Sequence, residues 1–146
     1  MRLTRHTDYS LRLLMLLALE PKAHHTVDVV AERYRISRNH MNKVAQTLVQ
    51  GGFIESARGR GGGIRLARPA NDINLGDVVR ATEENFHLVE CFSGSANTCI
   101  VSPVCGLRGH LREAVAAFFE VLDRYSLGEL IAQPGAWRGM RRLLSA

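Results

Sequence analysis

The sequence predicts a mainly α-helical fold with one small β-hairpin, and three features carry that prediction. Apolar residues return at three- and four-residue steps along most of the chain. Ser, Thr or Asp stands at the head of the first three such stretches, where a side-chain oxygen can cap free backbone amides. The exception to the helical period is a pair of short β-patterned runs, Phe53–Ala57 and Ile64–Ala67, which flank Arg58-Gly59-Arg60-Gly61-Gly62-Gly63.

The first helix is expected from Leu3 to Leu19, with Thr7 or Asp8 as its cap and Leu11, Leu14, Met15 and Ala18 on its inward stripe. Leu13, Leu16 and Leu17 widen that stripe, which implies burial on most sides. Pro21 ends the helix because it has no N–H to continue the ladder. Thr26 then caps a short second helix ending around Arg33–Arg35, with Val27, Val30, Ala31 and Tyr34 inward. Ser37 caps a third helix that runs to about Gln50 and stops at Gly51-Gly52. Met41, Val44, Ala45 and Leu48 form its core face, which leaves Arg38, Asn39, His40, Asn42, Lys43 and Gln46 outward.

Two helices joined by a tight turn, the second opening on polar and basic residues, make a helix-turn-helix, and a hairpin directly after it is a wing. A helix laid in the major groove of DNA reads base edges with its first turns. Asn39 and His40 offer donors and acceptors there, while Arg38 and Lys43 can neutralise phosphates or grip guanine. Arginines on a glycine-rich tip suit the minor groove, whose negative potential attracts them. The expected contacts are therefore Ser37, Arg38, Asn39, His40 and Lys43 on the helix, with Arg58 and Arg60 on the wing. A nucleotide-phosphate loop is excluded, since neither Gly-Lys-Ser/Thr nor a helix follows the glycines.

Charge agrees with that division. Residues 1–70 hold 12 Lys/Arg against 5 Asp/Glu, net +7, whereas residues 71–146 hold 7 against 9, net −2. A basic first half points to a polyanion partner. The longest apolar run, Leu13–Leu19, is far short of the roughly 20 residues a membrane span needs. The first residues carry no apolar stretch of the signal-peptide kind, so the expectation is a cytoplasmic protein without a membrane partner.

Past the turn Pro69–Asp72, Ile73–Thr82 predicts another short helix. A long amphipathic helix is expected from Leu107 to about Tyr125, keeping Leu111, Val115, Phe118 and Leu122 in period. Phe119 and Val121 lie off that stripe, so more than one side is apolar and a second copy of the chain is the expected cover. Ser126–Ile131 begins a further short helical segment, and the tail Trp137–Ala146 carries no pattern of its own.

Between these helices lie all three cysteines, Cys91, Cys99 and Cys105, spaced C-x7-C-x5-C. A structural zinc site would show a C-x2–4-C knuckle and four ligands. His87 or His110 could complete such a set, so zinc stays open. An iron–sulfur cluster takes soft thiolates, and the wide spacing permits a loop to wrap it. Three thiolates leave one position for a ligand of another kind, which a small molecule can displace. A thiol nucleophile would need a base such as His110, and nothing else resembles a catalytic constellation, so no enzyme is expected. Three inert cysteines are the remaining alternative.

Four segments occur in one order: Met1-Arg2-Leu3-Thr4 with Thr7-Asp8-Tyr9, then Ile36–Val44, then the wing Arg58–Leu66, then the cysteine loop. Together they resemble the dimeric winged-helix iron–sulfur transcription regulators, over residues 1 to about 131. That family includes the nitric-oxide-sensing NsrR repressors, the cluster-biogenesis regulator IscR and the iron regulator RirA. The resemblance implies a cluster, 4Fe–4S in preference to 2Fe–2S, held by Cys91, Cys99 and Cys105. Ser37–Met41 and Asp8 look most like the NsrR branch, which implies Asp8 of the other subunit as fourth ligand; a plain helix cap is its alternative role. It further implies a homodimeric repressor that binds palindromic operator DNA and releases it on meeting nitric oxide. The cysteine spacing and the stretch Glu83–Phe92 also resemble RirA, which makes an iron-responsive regulator the alternative. Gly61 departs from the Asn of many relatives. The organisation expected is a winged helix-turn-helix domain at 1–80, a cluster-binding loop region at 81–106, a dimerisation helix at 107–131 and a C-terminal tail at 132–146.

Arg60→Ala is expected to weaken duplex binding by about 1–3 kcal/mol, the range of one lost groove contact, without changing iron content. Fluorescence anisotropy beside an iron assay checks this, and unaltered affinity would remove the wing from the interface.

Overall fold

The computed structural model describes residues 2–23, 25–57, 62–133 and 135–144. At its centre runs α1 (Arg5–Leu19), against which α3 (Arg38–Gln50), α4 (Leu75–Thr82), α6 (Leu127–Ala132) and strand β2 (Gly63–Leu66) all pack. Leu13, Leu14 and Leu16 have no exposed surface at all. Leu14 was expected on the inward stripe, but Leu13 and Leu16 were expected only to widen it, whereas Leu11, Met15 and Ala18 of the stripe stand at the core's edge. The reason is the number of neighbours: a helix covered on several sides has no single inward stripe.

The cap of α1 also differs from expectation. Thr4, in extended conformation, accepts a hydrogen bond from the Thr7 amide at 3.3 Å, so neither Thr7 nor Asp8 is the cap. Asp8 lies inside the first turn, where the positive end of the helix dipole favours its charge. Thr26 and Ser37 cap α2 (Val27–Arg33) and α3 as expected, accepting from the Val29 and His40 amides.

β1 (Ile54–Ala57) and β2 form a two-stranded antiparallel hairpin in the register Ile54↔Leu66 and Ser56↔Ile64. The base of the hairpin is pinned to the head, because the Ile64 amide donates to the His25 carbonyl at 2.7 Å. At Gly63 a Cβ would collide with that same carbonyl, so the glycine is required by close approach. Arg58 and Arg60 lie outside the described residues.

Three short 3-10 turns, at Glu90–Phe92, Gly94–Ala96 and Ser102–Val104, lead into α5 (Gly106–Leu122). No residue of α5 is buried. Its C-terminal end is tied to the head: Arg80 of α4 makes a two-point ion pair with Asp123 at 2.8 and 2.6 Å and lies 4.3 Å over the Phe119 ring. That guanidinium holds the Asp123 carboxyl below the usual carboxylate range.

After α5 the chain returns to the head. Ser126 and Glu129 form a reciprocal capping box at the start of α6. The Leu127 amide donates to the Ile73 carbonyl at 2.8 Å, and its side chain is fully buried in the same core as Leu13 and Leu14. A seventh helix, α7 (Ala136–Leu144), packs on α6 in the tail where the sequence showed no pattern. No helix among the described residues is long and apolar enough to cross a membrane.

Leu127→Ala is expected to destabilise the head by about 2–5 kcal/mol, the usual cost of a buried leucine-to-alanine cavity. Urea denaturation followed by circular dichroism measures it. A cost under ~0.5 kcal/mol, typical of surface positions, would mean that α6 is not part of this core.

Candidate DNA interface and thiol loop

The buried face of α3 is Met41, Val44, Ala45 and Leu48, and that burial turns the opposite face outward. Ser37, Arg38, Asn39, His40 and Lys43 are all exposed and gathered at the N-terminal end of α3. The structure thus presents the five helix residues together on one surface. Arg38 is held in an ion pair with Asp28 of α2, Nε to Oδ1 at 2.6 Å, with both side chains more than half exposed. An exposed pair of this kind is worth about 0–1 kcal/mol, so the guanidinium can exchange Asp28 for a phosphate or base at little cost. On the wing, Arg65 pairs with Glu55 across the two strands.

Two contacts tie α3 to the first turns of α1. The His6 Nε2 and Thr47 Oγ1 are hydrogen-bonded at 3.0 Å, and the Tyr9 ring stands 6.3 Å from the His40 ring. Tyr9 in turn lies under the Arg12 guanidinium at 5.6 Å, and Arg12 grips Asp8 with two hydrogen bonds of 3.0 and 2.6 Å. An unbroken series of contacts therefore runs from Asp8 through Arg12 and Tyr9 to His40. Tyr34 braces it from the other side, donating its hydroxyl to the Arg12 carbonyl at 2.9 Å; burial pushes that phenol up to about 12.

The thiol loop starts from the same corner. Glu83, just past α4, accepts hydrogen bonds from the Thr4 amide at 2.7 Å and the Thr4 hydroxyl at 3.1 Å. The segment leading to the cysteines is thereby fastened to the N-cap of α1. Neither Thr4 nor Glu83 was singled out from sequence, although the Thr-x-x-Thr spacing at 4–7 is a cap signal.

All three cysteines are free thiols, Cys91 buried and Cys99 and Cys105 half-buried. The Asn97 side chain accepts from the Cys99 amide at 3.1 Å, and Thr98 bonds Glu90 back across the loop. Cys105 occupies the N-cap position of α5, where its side chain makes no capping bond and helix polarity favours a negative ligand. Among the described residues no three His, Cys, Asp or Glu side chains stand close enough to hold a metal ion. The structure places the cysteines in one loop without bringing them to one point, and Asp8 is engaged by Arg12 of its own chain. The donor chemistry nonetheless fits a soft metal centre: three thiols with no competing disulfide among them. Around them Ile100 is 93% and Val104 87% exposed, so the loop carries its apolar side chains outward.

Comparison with known proteins places this geometry. The Rrf2 family, described as "Iron-dependent Transcriptional regulator", matches residues 3–133. The HTH-type transcriptional regulator NsrR of Bacillus subtilis is 52% identical over 132 residues, covering 90% of each chain. The HTH-type transcriptional regulator NsrR of Halalkalibacterium halodurans is 49% identical over 144 residues, covering 98% of this chain and 99% of its own. Among solved structures, oxidised CymR of Staphylococcus aureus superposes with a TM-score of 0.73 at 25% identity, covering 90% of this chain and 97% of its own. T. potens IscR does so with a TM-score of 0.71 at 23% identity, covering 90% and 86%. A winged head with an exposed α3, matched over nearly its whole length by these transcriptional regulators, has one place: the chain belongs to the Rrf2 family of transcriptional regulators.

Proposed function

We propose that this regulator is a homodimeric iron–sulfur repressor that releases operator DNA in response to nitric oxide. The observation that carries the reading is the gathering of every thiol of the chain into one loop, which hangs between the N-cap of α1 and the exposed helix α5. Its likeness to two proteins named NsrR, at 52% and 49% identity, supports nitric oxide as the signal.

Cys91, Cys99 and Cys105 would hold the cluster, 4Fe–4S in preference to 2Fe–2S, with Asp8 of the partner subunit supplying the fourth ligand. When bound, such a cluster supplies iron sites that react with nitric oxide. The remaining work belongs to the chain. Asp8 must leave Arg12 to reach across a dimer, and an exposed i,i+4 pair costs only about 0.3–0.5 kcal/mol to open. Arg12, once freed, shifts its contact with Tyr9, and Tyr9 bears on His40 of the reading helix. Glu83 passes movement of the thiol loop to the α1 cap through Thr4. The apolar stripe of α5, with Leu107 60% and Val121 47% exposed, is the surface a second copy would cover. Two heads so joined would place their α3 helices one helical turn apart on a palindromic operator, with Ser37, Arg38, Asn39, His40, Lys43, Arg58 and Arg60 in contact.

A second reading, an iron-responsive regulator, is favoured by one observation, the iron dependence in the description of the matching family. Anaerobically purified protein distinguishes the two. Stoichiometric nitric oxide should weaken operator binding at least tenfold while iron remains in excess; if only chelation releases DNA, the signal is iron. Cys99→Ala should lose both bound iron and operator affinity, as read by iron and sulfide assay and by anisotropy. A Cys99→Ala protein with full iron content would sink the ligand assignment.

A further inference from the structure

Between the first turns of α1 and those of α3 lies a cleft of about 300 Å³, lined by Arg5, His6, Tyr9, His40, Lys43 and Val44. Val44 is its buried floor, and Arg5, His40 and Lys43 form an exposed rim. No carboxylate lines it. Elsewhere on the head Arg12, Arg33, Arg38, Arg65 and Arg80 are each paired with an acid. Arg5 and Lys43 meet no carboxylate among the described residues, so two fixed positive charges converge on one concavity without a counter-ion. The two walls are held together by the His6–Thr47 hydrogen bond and the Tyr9–His40 contact, so the cleft does not depend on its occupant. A basic concavity is a site for a phosphate group, and arginine or lysine meets phosphate with charge-assisted hydrogen bonds. The neighbouring residues say which phosphate. The cleft shares His40 and Lys43 with the reading face of α3, and a helix set into the major groove has the sugar–phosphate backbone running along its flank.

We propose that this cleft seats one backbone phosphate of each operator half-site, with Arg5 of α1 and Lys43 of α3 as its cationic jaws. The site rests on α3 being the reading helix, as proposed above. It makes α1 a DNA-contacting helix, which neither the helix-turn-helix pattern nor the wing implied. Arg5 clamps and sets register; it carries no sequence information, because every nucleotide offers the same phosphate.

The test uses the anaerobically purified full-length dimer and a duplex selected in vitro by the wild-type protein, with a shuffled duplex beside it. Each phosphate contact contributes about 0.9 to the slope of log affinity against log salt, so losing one per half-site should lower the dimer's slope by about 1.8. Arg5→Gln is expected to do this, to weaken both duplexes by the same factor, roughly tenfold or more at low salt, and to leave iron content unchanged. Arg5→Lys should restore most of the slope. Lys22→Gln, an equally exposed charge at the far end of α1, should leave it unchanged. An unchanged slope in Arg5→Gln overturns the proposal, and so does an equal fall in Lys22→Gln, which would mean general charge loss. Inorganic phosphate that fills the cleft at millimolar concentration while the duplex stays fully bound, at constant ionic strength, would also overturn it, since the cleft would then be a free-anion site. If the wild-type protein selects no duplex, the reading of α3 itself fails. If it selects one, Asn39→Ala loses discrimination and Arg5→Gln keeps its slope, the phosphate site fails alone.

Discussion

The burial of α1 is the constraint on which the remainder of this molecule depends. Leu13, Leu14 and Leu16 are sealed from solvent because α3, α4, α6 and β2 all close on one helix. Each neighbour is then fixed relative to the others through α1. Burying the five leucines Leu13, Leu14, Leu16, Leu17 and Leu19 contributes roughly 1.5–3 kcal/mol each to the head. The C-terminal two-thirds of α1 is thus scaffold, while its N-terminal turns, with Thr7 and Ser10 buried, turn Asp8, Tyr9 and Arg12 toward the surface.

Those turns concentrate an uncommon number of obligations. Thr4 holds the start of the thiol segment, His6 and Tyr9 touch the reading helix, and Asp8 and Arg12 hold each other. The contacts lie at or near the surface, outside the leucine core, so they can be rearranged without disturbing it. A regulator needs this division: a rigid part that keeps the reading helix intact, and a pliant part that can change its presentation by a few kcal/mol. Dense packing in one segment of α1 and solvent-facing polar contacts in the next provide both within fifteen residues.

Much of this was legible before any coordinates. The caps Thr26 and Ser37, the core face of α3 and the hairpin after it follow from local pattern, because each depends on residues three or four apart. The cap of α1 escaped because Thr4, Thr7 and Asp8 all qualify locally, and Glu83, 79 residues away, joins Thr4. The Tyr9–His40 contact and the cleft beside it are tertiary, made by helices that no spacing rule brings together. α7 escaped for the opposite reason: Gly135, Gly139 and three arginines interrupt an apolar period carried by Met140, Leu143 and Leu144. The cysteines could be counted and spaced from the sequence. Where their side chains converge depends on loop backbone that local pattern does not fix.

The return of α6 to the head bears on how the molecule is made. Residues 73 and 127 are bridged in the finished core, and the chain after α4, thiol loop and α5 included, leads away from that core and back. On a ribosome, chain emerges from the N-terminus at some 5–20 residues per second. The reading helix is exposed to the cell early, yet the core beneath it lacks Leu127 until the thiols and the whole of α5 have been translated. A nascent chain that stalls before that point carries an unfinished head. Completion of the head beneath the proposed reading surface follows synthesis of the loop proposed to govern it, so a fully packed head does not arise before that loop has been made.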